Sequence, residues 1–427
     1  MNSKYQNSED FLNRALKSIP LASQTFSKSI TSFPVGAAPL FLEKGKGSKV
    51  WDIDGNEYID FVSALACVNL GYCDPDVDKA VKEQLENGVT FSLPHRLETE
   101  VAEKIIEMVP CAEMVRFGKN GTDATSAAIR LARAYTKREH IAVCGYHGWQ
   151  DWYIGSTTRD MGVPKATKDL THKFGFNDID SLEAILSQNE IAGIILEPMN
   201  INFPEDDFLK KVKELATKYN AVLIFDETVT GFRYAPGGAQ EYFDVTPDLA
   251  TFGKGLANGY PVSAITGKKE IMKLMEDIFF SGTFGGETLS LAAAKATLEK
   301  INREGVTEKV IATGNYFKEK FLELTQELGL SEYFTIKGHP TWQFIQFQNL
   351  GEVDNFHIKT LYLQELFKRG ILILSTFNFS YAHSKEDVDT LLTAYREVLP
   401  ILKNAIDRGE VKSVLNCQPL KPLFQVR

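Results

Sequence analysis

The 427 residues lack most of what a membrane, secreted or nucleic-acid-binding protein displays. No apolar run approaches the roughly 20 residues that a membrane span needs. The opening MNSKYQNSED has no apolar core of the kind a signal peptide carries. The five cysteines, Cys67, Cys73, Cys111, Cys144 and Cys417, are odd in number and never in C-x-x-C spacing, so neither a disulfide framework nor a zinc clip is indicated. Seven scattered histidines form no H-x-x-x-H pair. There is no basic block either: 47 Lys and Arg face 56 Asp and Glu, and the net charge of −9 argues against gripping a phosphate backbone or an anionic membrane. Together these absences predict a cytoplasmic, metal-free protein with neither nucleic acid nor membrane as a partner.

What is present is ordinary for a globular chain, with 44% apolar and 24% charged residues. The first 40 residues read as polar and irregular. Lys49 to Phe61 reads as a hairpin turning at Asp54-Gly55. Leu97, Val101, Ile105 and Val109 recur at helical spacing until Pro110. From about 120 to 270, short apolar runs such as IAGIILE (191–197), AVLIFD (221–226) and VSAIT (262–266) resemble buried parallel strands. Helical stretches such as 208–220 separate them, which predicts an α/β/α core. Beyond about 305 helices dominate, with an apolar strand at 371–374 and a last helix near 385–406. The expected division is a large domain over 65–310 and a small α+β domain from 1–64 and 311–427.

Four stretches carry candidate chemistry. Asn120-Gly121-Thr122-Asp123 opens an apolar helix, where free backbone N–H groups suit a phosphate, although an ordinary N-cap has the same pattern. Asp226 ends the run AVLIFD and Glu197 ends IILE, at the strand ends where open α/β sheets bind ligands. Lys254 stands between Gly253 and Gly255, which let the backbone turn and present an amine able to form a Schiff base. Tyr146-His147-Gly148 follows the run IAVCG and offers a ring to lie on a planar cofactor. Jointly, a phosphate-binding helix start, an aromatic, a strand-end Asp and a lysine suit pyridoxal 5'-phosphate. GKGLANG lacks a dinucleotide fingerprint, which disfavours a dehydrogenase.

With these residues in place, the sequence resembles the class III, fold type I aminotransferases, near their glutamate-1-semialdehyde 2,1-aminomutase branch. NGTDATSAAIRLARA, GYHGW, LIFDETVTGFR, TFGKGLANGYPVSAITGKKEIM and SGTFGGETLSLAAA carry the likeness, in order, from about Phe41 to about Leu399. The resemblance implies that Lys254 forms the Schiff base and Asp226 partners the ring nitrogen. It implies phosphate contacts from Gly121 and Thr122, with Thr283 donated across a homodimer whose active site is shared. Tyr146 would stack on one ring face with Thr228 near the other, and Glu197 and Asn202 would sit near the ring oxygen and substrate.

Departures fall on substrate-facing positions. The usual Ser before Gly-Thr is Asn120. Lys28 stands where the aminomutase has an Arg for substrate recognition, Leu65 where it has a Trp, and Asn378 replaces its active-site Glu. The lid segment is altered to GSTTRDMGVP (155–164). These changes predict an aminotransferase rather than the isomerase, moving an amino group by a ping-pong cycle from glutamate to a carbonyl acceptor. Lys28, Arg96 and Arg233 are the candidate carboxylate partners. TFGGET and SQTFSKS resemble the branch linked to surface-polysaccharide synthesis, implying a sugar-derived or small phosphorylated ketone or aldehyde.

Overall fold

A computed structural model describes residues 4–421, which form two compact units. One contains the residues up to 65, residues 70–74 and those from 309 onward; the other contains 66–69 and 75–308. Among the described residues the strands follow in chain order as β1 (Leu42–Lys46), β2 (Lys49–Asp52), β3 (Glu57–Asp60), β4 (Met114–Gly118), β5 (His140–Cys144), β6 (Thr171–Lys173) and β7 (Ile191–Leu196). They continue as β8 (Val222–Asp226), β9 (Leu249–Phe252), β10 (Ser263–Gly267), β11 (Phe334–His339), β12 (Trp342–Phe347), β13 (Ile371–Leu372) and β14 (Thr376–Asn378).

The unit around residues 75–308 is built on a seven-stranded sheet of order β4-β10-β9-β8-β7-β5-β6. Successive side chains on a strand point to opposite faces, and here both faces are covered. Ile195 and Ile224 pack with Ala128 and Leu131 of the helix Gly121–Thr136. Their neighbours Ile194, Leu196, Leu223 and Phe225 pack with Leu182 and Val212, from the helices Ile179–Gln188 and Phe208–Lys218. Burial of each of the large aliphatic and aromatic side chains among these contributes about 1.5–3 kcal/mol. Gly193 inside β7 marks a close approach, since a Cβ there would lie a tight 3.0 Å from the Cβ of Ala132. The alanine-rich helix therefore approaches the sheet closely and rests its N-terminus at the carboxyl end of β8.

One strand is reversed. The sequence pattern places 262–266 among the parallel strands, but β10 runs antiparallel to both β9 and β4. Only residues 253–262 link β9 to β10, and they hold a single 3-10 turn, Lys254–Ala257. A parallel return needs a crossover of about a dozen residues or more, usually helical.

In the other unit, β2 and β3 form the expected hairpin within the sheet β1-β2-β3-β13. The apolar run 371–374 pairs over only Ile371 and Leu372: Phe61 N donates to the Leu372 carbonyl (2.9 Å), but the Phe61 carbonyl accepts from Asn378 N (2.8 Å) instead of continuing the ladder. A helix, Gln6–Ala15, occupies part of the segment that reads as irregular, held by the narrow stripe Ser8, Leu12 and Ala15. The largely helical reading beyond 305 also misses a three-stranded sheet, β11-β12-β14. The helix Lys385–Arg408 starts with a reciprocal cap: Ser384 N donates to Asp387 Oδ2 (2.9 Å) and Asp387 N to Ser384 Oγ (3.1 Å).

After β3 the backbone turns left-handed at Ser63, Ala64, Leu65 and Ala66, with φ of 46°, 50°, 62° and 65°. Each such residue costs roughly 1–2 kcal/mol. Asp60 Oδ1 accepts the N–H groups of Val62 (2.7 Å) and Ser63 (3.1 Å), and Ser63 Oγ donates to the Asn378 carbonyl (2.7 Å). Asn378 Nδ2 completes the tie by donating to the Val62 carbonyl (2.9 Å). No helix of the described residues is long and apolar enough to cross a membrane.

Candidate active site

The helix Gly121–Thr136 begins where its sequence predicts, with Asn120 as N-cap. The Asp123 carboxylate accepts the N–H groups of Lys119 (3.0 Å) and Asn120 (2.8 Å), which lie before the first helical turn. The N–H groups of Gly121 and Thr122 have no carbonyl in the helix to pair with. Beside them, the buried Thr122 Oγ1 has no hydrogen-bond partner among the described residues. A buried hydroxyl without a partner is costly unless a ligand completes it.

Asp226 ends β8 and is buried. Its Oδ1 accepts Thr228 N (3.1 Å), Thr228 Oγ1 (2.6 Å) and Thr251 Oγ1 (3.1 Å). Its Oδ2 lies 2.8 Å from His147 Nδ1, while His147 Nε2 lies 3.1 Å from the Cys144 carbonyl. Both ring nitrogens thus face oxygens that accept, so both are placed to donate. Burial works to raise the Asp226 pKa, but the bond and charge of His147 and the bonds from Thr228 outweigh it and hold the carboxyl below its ordinary range.

Glu197 directly follows β7, the neighbour of β8. Burial and the Asp226 charge push its pKa up, against His147, the Tyr146 N–H and the charge of Lys254. Tyr146 N donates to Glu197 Oε2 at 3.0 Å. Gly145, at φ +105°, is required there, since a Cβ would fall 2.5 Å from that same oxygen. A Cβ on Gly148, at φ +108°, would lie 2.4 Å from Thr122 Oγ1. The loop Gly145–Gly148 is thereby wedged between a strand end and the helix start. The Tyr146 ring is 49% exposed and meets Tyr153 edge-on at 5.6 Å.

Lys254 starts the 3-10 turn after β9 and holds φ at +42°, a strained value for a side-chain-bearing residue. A Cβ on Gly253 would lie 3.4 Å from Thr228 Cγ2 and 3.7 Å from Gly121 Cα. Lysine turn, phosphate-type helix start and the Asp226–Thr228 turn therefore meet at one edge of the sheet.

Two predicted site residues do not join this cluster. Asn202 is exposed in the loop after β7, and Thr283 is exposed before the helix Thr288–Glu304; neither hydrogen-bonds to the others. Of the cation candidates, Arg96 is 82% exposed and lies 3.6 Å from Glu100. Arg233 is buried, donates to Asn69 Oδ1, and is pushed down to about 10 by burial. Lys28 belongs to the other unit and is exposed. In the sequence His147 stood out only as a member of the Tyr146-His147-Gly148 stretch facing a planar cofactor; its partner Asp226 is 79 residues away.

The residues fit pyridoxal phosphate. The unpartnered Thr122 hydroxyl and free N–H groups suit its phosphate, an ionised buried Asp suits a protonated ring nitrogen, and a lysine on a glycine-flanked turn suits its aldehyde. The family model "Aminotransferase class-III" matches residues 32–378. The 3-aminobutyryl-CoA aminotransferase of Cloacimonas acidaminovorans (strain Evry) is 38% identical over 387 residues, covering 88% of this chain and 92% of that protein. The glutamate-1-semialdehyde 2,1-aminomutase of Natranaerobius thermophilus is 34% identical over 418 residues, covering 90% and 96%. Among solved structures, the PLP internal aldimine form of FumI from Sphingopyxis sp. MTA144 superposes with a TM-score of 0.87 at 27% identity, over 96% of this chain and 98% of that one. Family model, relatives and fold agree with the geometry: this chain belongs to the class-III aminotransferases, pyridoxal-phosphate-dependent enzymes of fold type I.

Proposed function

We propose that this enzyme takes an amino group from glutamate and passes it to a carbonyl acceptor in two half-reactions at one site. The observation that carries the proposal is the meeting of the Lys254 turn with Gly121 and Thr228 beside Asp226. When bound, pyridoxal phosphate supplies a ring that accepts the electron pair released at the substrate carbon. Lys254 Nζ holds the cofactor and then moves a proton to and from that carbon. Asp226, kept ionised by His147 and Thr228, holds the proton on the ring nitrogen. Gly121 and Thr122 bind the phosphate, Tyr146 and Thr228 flank the ring, and Glu197 stands at its oxygen, with Asn202 towards the substrate. The partner chain of a homodimer contributes Thr283. The large 65–310 domain carries the cofactor, the small domain comprises 1–64 and 311–427, and the enzyme acts in the cytoplasm.

For the acceptor, the TFGGET and SQTFSKS segments support a sugar-derived or small phosphorylated ketone or aldehyde, and so a role in surface-polysaccharide synthesis. A second reading is favoured by the relative at 38% identity, whose name supports 3-aminobutyryl-CoA as an amino compound of this enzyme. A third, the aminomutase, has the relative at 34% identity in its favour but loses its Arg, Trp and Glu positions here to Lys28, Leu65 and Asn378.

The test is a single turnover of the cofactor-loaded enzyme with excess glutamate. The expected result is one equivalent of 2-oxoglutarate per site, abolished in Lys254→Ala along with the reducible covalent link. Absence of 2-oxoglutarate together with turnover of glutamate-1-semialdehyde would replace this reading by the isomerase. Screening phosphorylated ketones and keto sugars as acceptors, and 3-aminobutyryl-CoA as the amino donor in place of glutamate, then separates the first two readings.

A further inference from the structure

The chain that leaves Asp226 turns where Gly231 N donates to the Glu227 carbonyl (2.8 Å), and runs on to Arg233. It meets the Lys254 segment on both sides of the lysine. Before the lysine, a Cβ on Gly231 would run into the Phe252 ring, 2.7 Å from Cε1, and the Phe232 and Phe252 rings are 5.0 Å apart. After it, a Cβ on Gly255 would fall on the Asn69 amide, 2.7 Å from Cγ, 2.9 Å from Oδ1 and closer still to Nδ2. Gly255 does not have a positive φ, so it is this contact that excludes a side chain.

Asn69 and Arg233 are both buried, and Arg233 Nη1 donates to Asn69 Oδ1. A guanidinium carries only donors, so this bond decides which end of the amide is the oxygen. It leaves Nδ2 as the amide atom nearest Gly255, with no hydrogen-bond partner among the described residues. The amide is thus oriented by Arg233 and pressed against the glycine that follows the lysine. Lys254 holds its φ of +42° between the two contacts. A strained value persists only where the surroundings over-determine it, and here the chain from Asp226 supplies a restraint on either side.

We propose that Asn69 and Arg233 are positioning residues for Lys254: Arg233 fixes the Asn69 amide, and the amide keeps the lysine turn in the conformation that aims its amine. The proposal rests on Lys254 carrying the cofactor. It moves Arg233 from the candidates for a substrate carboxylate to the support of the lysine.

The test is a cycle of Asn69→Ala with Lys254→Ala. In the cofactor-loaded enzyme, Asn69→Ala is expected to slow single turnover at saturating glutamate about tenfold to a hundredfold, with the half-saturating glutamate concentration unchanged. Arg233→Lys keeps a donor for the amide and is expected to recover part of the rate that Arg233→Met loses. In the Lys254→Ala background there is no amine to position. There Asn69→Ala is expected to leave the affinity for pyridoxal phosphate, read by equilibrium titration, unchanged. Gly255→Ala is expected to turn over slowly, and the double variant Asn69→Ala/Gly255→Ala to be faster than Gly255→Ala alone, because the shortened side chain makes room for the new Cβ. Cofactor binding weakened equally with and without Lys254 would overturn the proposal in favour of a general packing role. A raised half-saturating glutamate concentration at an unchanged maximal rate would overturn it by returning the pair to the substrate. Absence of the reducible link to Lys254 in the unsubstituted enzyme would overturn the transaminase reading as well, and that result is read separately.

Discussion

Asp226 and Glu197 end adjacent strands, and the fold drives their carboxyl groups in opposite directions. Such divergence is how one site keeps one carboxylate ionised while another retains its proton to higher pH. The consequences for stability have opposite signs. Asp226, lowered in the fold, contributes stability above the ordinary Asp value near about 3.9, which is lost as pH falls through its folded value. Glu197, raised in the fold, is favourable only below the ordinary Glu value near about 4.3, and that contribution is lost as pH rises through its folded value. Glu197→Gln keeps an oxygen for the Tyr146 N–H and removes the charge. Its thermal midpoint by calorimetry is expected to rise at pH 7 and to stay level at pH 4, while amino transfer falls. An unchanged midpoint at pH 7 would mean that Glu197 carries no net electrostatic cost in the fold. Both residues were legible because each closes a short, β-branched apolar run of the kind that buried strands carry. His147 was not, since nothing in a local pattern announces a bond to an aspartate three strands further along the chain.

At the level of elements, the sequence reads well where one periodicity holds and poorly where direction or handedness decides. The apolar runs of β7 and β8 have no polar face, which is the signature of strands covered on both sides. Composition alone does not report strand direction, so β10 reads like its parallel neighbours; the short link after Phe252 was the available signal. The β11–β12 hairpin hides behind Lys337, Gly338 and Pro340, although Phe334 and Ile336 alternate inward. The left-handed turn was the least legible element, because Ser-Ala-Leu-Ala contains no glycine to mark positive φ. That absence makes a prediction. Ala64, at φ 50° and ψ 43°, is only partly buried, so Ala64→Gly relieves strain with little loss of packing. After allowance for the added freedom of the unfolded chain, a gain of about 0.5–1 kcal/mol is expected, read as a higher urea midpoint. A lower midpoint would show that the surrounding hydrogen bonds, rather than the side chain, govern this turn.

For the whole molecule the question is what completes the site. The segment before the helix Thr288–Glu304 is anchored by its backbone: Arg130 Nη1 donates to the Phe279 carbonyl (2.6 Å) and Arg116 Nη2 to the Phe280 carbonyl (3.1 Å). Yet its rings face outward, with Phe279 82% and Phe284 60% exposed, and Leu93 in the same unit is 79% exposed. Large apolar side chains presented by a fixed backbone call for a covering surface, and a second copy of the chain would bring Thr283 to a neighbour's cofactor. This arrangement makes a prediction that no single-chain role of Thr283 reproduces. Lys254→Ala and Thr283→Arg chains are each expected to form inactive homodimers. In a mixed dimer, the chain with intact Lys254 receives Thr283 from its Lys254→Ala partner, so one site in two is whole. Co-refolded or co-expressed mixtures should therefore regain activity, approaching half the wild-type specific activity in isolated heterodimers. If Thr283 served its own chain's cofactor, both sites of the mixed dimer would remain defective and mixing would restore nothing.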